Sequence, residues 1–548
     1  MTTAEADQPL TKKPKPDRLQ CEYFITKKNR QCGMTRRHDE KYCSEHLNLL
    51  KKEHGRQLHY IGATGTNDNK GARRVPCPLD PNHTVWEYKL KTHLLKCTKG
   101  KNARMNDGKA YYIKGLNSGK AIDNVTSSGT STSTSTYRQF LEQTIEILRR
   151  IQVESDDIVE FTIESSFKQN DIMNGTRVQE LDNPKHAIQQ GSLIENMYEY
   201  IGRSTGSLIS RGDPLGQDSV VVVEFGCGRA EFSRYLNQQV LYRLRDNNNN
   251  NTPFQKTKTG SSDDSVDTPP LNLTYVLIDR GTNRMKFDHK IRTDTIELNR
   301  RGDQNLQTQR QVNLDIRRAK IDIRDLNLDP LLLPTNDPLE KSSTTKLTCL
   351  AISKHLCGVA TDLALRCIAN SRVLKSQLAG MCIAMCCRHA CEPEDYINPQ
   401  FVNSLLERYR AQENCDVPPD RLSYSDFFKC LAKICSWATS GRRAKIQDDE
   451  SMVTVSLVGE DNDDKDEDNK STSDDKAASR ETKEIQMTVL ERETLGLLAR
   501  KIIDIGRLKW AQENLDGEAK LVHYVPQDVS LENVALLFRR KDQRGGEE

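Results

Sequence analysis

At 548 residues, 35% hydrophobic and 29% charged, the chain is too long for one compact core, and its length predicts roughly two to four folded units. It has no run of about 18 consecutive apolar residues, and Met1 to Gln20 is polar and rich in Lys and Pro, which argues against membrane spanning and secretion. The net charge of +3 hides an asymmetry: through Lys120, 25 Lys and Arg face 12 Asp and Glu, leaving +13 there and −10 on the rest. A basic head on an acidic-to-neutral body fits either a polyanionic partner or a solvated basic face. The 16 cysteines are then expected in an intracellular, reducing setting, where zinc binding or burial is favoured over disulfides.

Two Cys/His clusters come first. Cys21, Cys32, Cys43 and His46 offer three thiolates and an imidazole, a donor set for tetrahedral Zn2+, among the basic residues Arg30, Arg36, Arg37 and Lys41. Buried thiols are the alternative, but so short a polar segment has little core in which to hide them. In the second cluster, Cys77 and His83 flank a proline-stiffened turn. A helix over 89–97 then presents His93 and Cys97 at i and i+4, on one face. His38, His54 and His59 are read as surface residues. Metal binding is expected to fold both segments.

A Ser/Thr-rich stretch at 120–136 reads as a linker. Beyond it, helical spacing appears at 141–151 and 186–200. Strands follow at 220–225, 273–279, 319–323, 347–353 and 381–385, with a further pair at 521–525 and 534–539. This alternation predicts an α/β domain with a mostly parallel sheet. Segments 246–270 (Asn-rich) and 461–483 (Asp/Lys-rich) read as insertions.

The first of these strands ends in Glu224, then Gly226 and Gly228 bracket a tight turn into a helix. Glycine suits a sharp turn that a ligand must approach. The E-x-G-x-G form resembles the first motif of Rossmann-like methyltransferases. It fits dinucleotide binding less well, because Glu231 stands where the third glycine would be. Asp279 ends the next strand, placed to take both ribose hydroxyls of S-adenosylmethionine, and Asp322 or Asp325 sits near the adenine edge or simply caps a strand end. The fourth strand runs into Lys354 and His355, at the mouth where an acceptor would lie. Either could accept a proton, or Lys354 could contact phosphate while His355 packs. Cys386, Cys387, His389 and Cys391 end the fifth strand and leave a third zinc site open, whereas Cys227, Cys367 and Cys382 read as packing thiols. There is no Pro-Cys nucleophile in this domain and no Asn/Asp-Pro-Pro-aromatic loop, which leaves ribose oxygen as the acceptor by elimination.

With these motifs in order, the chain resembles the eukaryotic tRNA ribose 2′-O-methyltransferases acting at position four of the acceptor stem, the Trm-thirteen family. The likeness spans nearly the whole chain outside its low-complexity segments. It rests on a CCCH finger and a CHHC finger ahead of a divergent methyltransferase domain. It extends to Tyr111 to Asn117, Lys185 to Gln190, Ile352 to Gly358, Ser436 to Thr439, Ile503 to Leu508 and Glu532-Asn533. The CHHC module resembles that of a minor-spliceosome protein, which favours RNA over DNA. The family's fifth-strand loop usually reads Cys-Cys-His-His-Arg-Cys; here Arg388 and Ala390 stand at the first and third basic positions, leaving Arg388 as a phosphate contact. The resemblance implies zinc modules at 17–50 and 74–101, a methyltransferase domain at 137–541, two structural zinc ions, S-adenosylmethionine as cofactor and tRNA as partner. Neither a membrane nor a protein partner is expected, and the setting is cytoplasm or nucleus. The alternative is a non-catalytic RNA-binding zinc protein on a degenerate methyltransferase fold.

Overall fold

A computed structural model of the chain describes residues 19–25, 30–36, 38, 40–43, 46–47, 74–97, 100, 105–119, 134–154, 157–170, 184–202, 219–249, 270–281, 286–305, 311–333, 347–410, 422–440, 452–455 and 485–541. His54, His59, the expected insertion at 461–483 and residues 250–269 of the other lie outside the described residues, as do residues 120–133 of the expected linker. The chain divides into two compact units, one through Gly100 and one from Lys101 onward.

The first unit is made of short elements. Strands β1 (Phe24–Ile25) and β2 (Arg30–Gln31) pair antiparallel, as do β3 (Arg74–Cys77) and β4 (Asp80–Trp86), and α1 (Leu90–Lys96) follows the second hairpin. The core around the first hairpin consists of Cys21, Cys32 and Cys43 with Tyr23 and Tyr42 against them, so thiols occupy the place of an aliphatic centre.

The second unit opens with α2 (Thr134–Val153), α3 (Asp157–Glu160), β5 (Glu164–Ser165) and α4 (Lys185–Gly202). Then come β6 (Ser219–Phe225), α5 (Glu231–Asn249), β7 (Leu271–Asp279), α6 (Lys286–Asn305), β8 (Val312–Lys320) and α7 (Asp329–Leu332). After β9 (Leu347–Cys357) the chain forms α8 (Val359–Asn370), α9 (Arg372–Gln377), β10 (Leu378–Cys386), α10 (Pro399–Arg410), α11 (Tyr424–Cys435) and α12 (Trp437–Ser440). A separate hairpin of β11 (Met452–Val455) and β12 (Ile485–Thr488) leads into α13 (Val489–Asn514), β13 (Gly517–His523) and β14 (Val534–Arg540).

Among the described residues, eight strands form one sheet in the order β5-β13-β14-β10-β9-β6-β7-β8. Strands β8, β7, β6, β9 and β10 are parallel; β14 runs antiparallel to β10 and to β13. The fold is thus α/β with a mostly parallel sheet, as the alternating pattern predicted. The valine run of β6 explains its central place. Val220 and Val222 enter the core shared with α4, α5 and α6, while Val221, Val223 and Phe225 enter the opposite core with α8 and the end of α13. A β-branched strand buried on both faces is the signature of a covered parallel sheet. A third core joins α2, α10, α11 and the first half of α13.

Four expectations need adjustment. The third strand was expected at 319–323 but runs at Val312–Lys320. It lies at the sheet edge, where Asn313 and Asp315 alternate with apolar residues and no apolar run announces it. Strand β9 continues to Cys357 rather than ending at 353, and β13 begins at Gly517 rather than 521. Residues 105–119 also pack on the second unit, ahead of the expected domain start at 137. Asn117, fully buried, donates to the carbonyls of Ile323 and Leu326 at 2.6 and 2.9 Å, and Tyr112 bridges to Leu326.

Candidate active site and metal clusters

In an open parallel sheet a ligand sits beyond the strand C-termini, where neighbouring connections leave in opposite directions. Here that point lies between β6 and β9. The turn after β6 carries positive φ at Gly226 (64°), Gly228 (49°) and Ala230 (60°). A Cβ on Gly226 would come within 3.2 Å of the His355 carbonyl, whereas one on Gly228 would project into open space. The first glycine serves packing, and the second keeps the approach to the turn clear.

Glu224 stands behind this turn rather than in it. It is 3% exposed and accepts hydrogen bonds from Ser233 N–H and Oγ, at 3.2 and 2.5 Å, fastening the start of α5 to the end of β6. Burial pushes its pKa up to about 7, against the opposing pull of the Ser233 hydrogen bonds. Asp279, at the end of β7, accepts from the Gly228 N–H (2.8 Å) through one carboxylate oxygen and from the Gly281 N–H (2.6 Å) through the other. Each oxygen keeps lone pairs for a further donor. Arg318 from β8 closes the turn from the other side. Its Nη1 donates to the Gly228 carbonyl at 3.0 Å while the guanidinium grips Asp288 with two bonds.

The third strand's acids lie past its end. Asp322 caps the short helical turn Ile323–Asp325 by accepting from the Arg324 N–H. Asp325 turns to the 105–119 segment, accepting from the Gly115 N–H at 2.7 Å, so its carboxylate braces that segment.

Because β9 extends past residue 353, Lys354 and His355 lie within a strand, and both approach His186 of α4. Lys354 is 7% exposed, with Nζ 3.0 Å from His186 Nδ1 on α4. His355 is exposed, its ring edge-on to His186 with centroids 6.1 Å apart. Protein packed around the imidazole, and next the neighbouring Lys354 and His186, lower its pKa to about 4. The loop after β10 departs from the sequence reading. Arg388 is 1% exposed and paired with Asp504 (2.7 Å) and Glu532, so it is a strut of the fold and not a phosphate contact. Cys391 is buried against Arg507, 3.2 Å away, and does not join Cys386 and Cys387.

Both N-terminal clusters assemble. The ligand atoms of Cys21, Cys32, Cys43 and His46 all lie within 4.8 Å of one another. Tyr23 stacks on His46 at 3.9 Å between ring centres, which fixes the imidazole plane. In the second cluster Cys77, His93 and Cys97 converge, with His93 Nε2 3.2 Å and Cys97 Sγ 3.9 Å from Cys77 Sγ. His83 lies on β4, and its side chain is outside the described residues. Soft thiolates with imidazole at these separations suit zinc.

Comparison with known proteins bears directly on this arrangement. Residues 188–539 match the family described as Methyltransferase TRM13, residues 19–47 the CCCH zinc finger in TRM13 protein, and residues 74–98 the U11-48K-like CHHC zinc finger. The protein named tRNA:m(4)X modification enzyme TRM13 in Saccharomyces cerevisiae is 40% identical over 546 residues, covering 97% of this chain and 98% of its own. Its namesake in Vanderwaltozyma polyspora is 36% identical, covering 97% and 100%. The mouse TRM13 homolog is 26% identical, covering 94% and 93%. The chain belongs to the TRM13 methyltransferase family. It is therefore a methyltransferase carrying zinc-finger modules.

Two residues at this site, His186 and Arg318, were missed by motif reasoning. His186 was visible only as part of the Lys185 to Gln190 stretch, without a role. Arg318 sits beside Arg317 on an edge strand, and nothing in the local pattern separates the one holding the glycine turn from the one capping the Leu331 and Leu333 carbonyls. Among the described residues no helix is long and apolar enough to cross a membrane.

Proposed function

We propose that the protein transfers a methyl group from S-adenosylmethionine to a ribose 2′-hydroxyl at position four of the tRNA acceptor stem. The observation that carries this is the open glycine turn facing Asp279 at the sheet's crossover point, in a chain whose relatives are named tRNA:m(4)X modification enzymes. The residues fit the cofactor. Gly228 leaves room for close approach, and Asp279 retains acceptor capacity for two ribose hydroxyls in charge-assisted bonds. Glu224 holds the turn from behind, Arg318 closes it through the Gly228 carbonyl, and Asp322 borders the adenine side. When bound, the cofactor supplies an electrophilic methyl group on a sulfonium.

The chain's own residues position the acceptor and manage its proton. His355, exposed and uncharged at neutral pH, takes the hydroxyl proton. Lys354, buried beside His186, supplies a fixed donor for the developing alkoxide. Holding hydroxyl and methyl group in line contributes much of the rate. The two Cys/His modules, with His83 completing the second, hold one structural zinc each and grip the RNA. A tRNA substrate places the protein inside the cell, in cytoplasm or nucleus.

Incubation with tRNA and methyl-labelled S-adenosylmethionine, followed by mapping of the labelled nucleotide, tests this. The expected product carries label at position four in a linkage that resists alkaline hydrolysis. Label on a base, or cofactor binding without transfer to any tRNA, would overturn it.

A further inference from the structure

Among the described residues, three groups of Cys and His side chains bring their ligand atoms within 4.8 Å of one another. Two are the zinc-finger clusters. The third, Cys357, Cys386 and Cys387, lies in the methyltransferase unit and takes part in none of the chemistry above. We propose that these three thiols form a third metal site, taking a thiophilic divalent cation such as Zn2+ at the mouth of the catalytic sheet.

The sheet register supplies two ligands. Cys357 and Cys386 are direct partners at the C-terminal ends of the parallel strands β9 and β10, with sulfurs 3.3 Å apart. A vicinal third cysteine would ordinarily point away, because successive side chains on an extended chain alternate in direction. The backbone removes that obstacle. Cys387 adopts the left-handed conformation, φ 51° and ψ 48°, and is one of only two non-glycine residues at positive φ among those described. Such a conformation is strained for a residue with a side chain and persists only where the surroundings impose it. Here the Glu532 carboxylate accepts from the Cys387 N–H at 3.2 Å, and the Cys387 carbonyl accepts from the Ala390 N–H at 2.9 Å. The result is a backbone held in a costly shape that turns the third sulfur back toward the other two.

The donor set selects the ion. Three thiolates disfavour Mg2+ and Ca2+ and favour zinc-like cations. Sulfurs on a tetrahedral zinc ion stand about 3.8 Å apart at a bond length of about 2.3 Å. The free cluster therefore needs only small side-chain rotations to receive the ion. Three protein ligands leave a fourth position for water, within reach because Cys357 is exposed. The set differs from the one the sequence suggested, since Cys391 is committed to Arg507 and Cys357 takes its place. Cys357 lies two residues beyond His355 on the same strand, so an ion there would pin that strand end to the β10 loop.

The test uses the full-length protein purified with zinc present. Metal analysis is expected to give three zinc ions per chain, falling by one in Cys386→Ser, Cys387→Ser. Alkylation of the wild type mapped by mass spectrometry gives a readout independent of any variant's folding. Exposed Cys357 should resist modification in the zinc-loaded protein and react at least tenfold faster after chelation. An unchanged zinc count in a folded double variant would overturn the site. So would Cys357 reacting equally fast before and after chelation, or its recovery from zinc-loaded protein as a disulfide with Cys386.

Discussion

Two carboxylates, Glu224 at the end of β6 and Asp279 at the end of β7, are given different roles in the proposed cofactor site by their surroundings. Asp279 is partly exposed and anchored by two backbone N–H groups, so its geometry is fixed while its remaining lone pairs face outward. Asp279→Ala should abolish S-adenosylmethionine binding in calorimetry and leave tRNA affinity nearly intact; unchanged cofactor affinity would remove the residue from the site. Glu224 is buried, and its raised pKa makes it a pH-dependent burden on the fold. Its folded value of about 7 exceeds the unfolded-chain value of 4.5, so between these values the folded state holds a proton that the unfolded state has released. Stability from this group is therefore full below about pH 4.5 and is lost as pH rises through 7. At roughly 1.4 kcal/mol per pKa unit, the loss between pH 5 and 8 is about 2 to 3 kcal/mol. Glu224→Gln lacks this titration. Denaturant unfolding should show the variant gaining on the wild type by about that amount from pH 5 to 8. Parallel pH profiles would show that Glu224 titrates alike in both states.

At the scale of elements, the legible features were those with a strong local signature. The valines of β6, the glycine turn and the acid ending β7 all stand where the pattern put them, as do α2 and α4. The edge strand β8 was misplaced because it carries Asn313, Asp315 and Arg317 among its apolar residues, and β9 was cut short because Lys354 looks like a strand's end. Lys354 instead buries its stem and meets His186, a partner 168 positions away that periodicity cannot reveal. The same holds for the C-terminal half. The stretch around Asp504 to Arg507 was recognisable as shared with the family but had no assignable job. It proves to be a buried ion network, in which Arg507 meets Asp362 at 2.6 Å with both side chains fully buried, while Asp504 meets Arg388. Such pairs cost much when broken on one side, because the remaining charge stays buried. Asp362→Ala should therefore lower the unfolding free energy by roughly 3–5 kcal/mol. Asp315→Ala, which breaks the half-exposed pair with Arg317, should cost about 1 kcal/mol or less. Equal unfolding midpoints for the two variants would refute this ranking.

At the scale of the whole molecule, charge and fold separate along the chain. The residues through Lys120 carry +13, while the rest, with every residue of the proposed cofactor site, carries −10. The boundary for testing that division follows from packing and not from the Ser/Thr stretch. Residues 105–119 belong to the catalytic unit: Gly119 donates to Asp395 at 3.0 Å, a Cβ on it would collide with the Glu394 carbonyl, and Asn117 is sealed inside. A chain beginning at Tyr137 would strip these contacts and confuse lost RNA binding with lost stability, whereas one beginning at Lys101 retains them. The shortened protein should bind S-adenosylmethionine as the intact one does, since Glu224, Asp279 and Arg318 are untouched. It should lose most tRNA affinity. Each phosphate contact on a duplex contributes a slope of roughly −0.9 in log affinity against log salt. If the fingers supply most such contacts, the slope should flatten in step with the affinity. His93→Ala, Cys97→Ala in the full chain should reproduce part of the loss by unfolding one module, because metal binding and folding of so small a segment are one event. Binding and methylation of full-length tRNA at undiminished affinity and salt slope by the chain beginning at Lys101 would assign the fingers to a different partner and place RNA recognition in the methyltransferase unit itself.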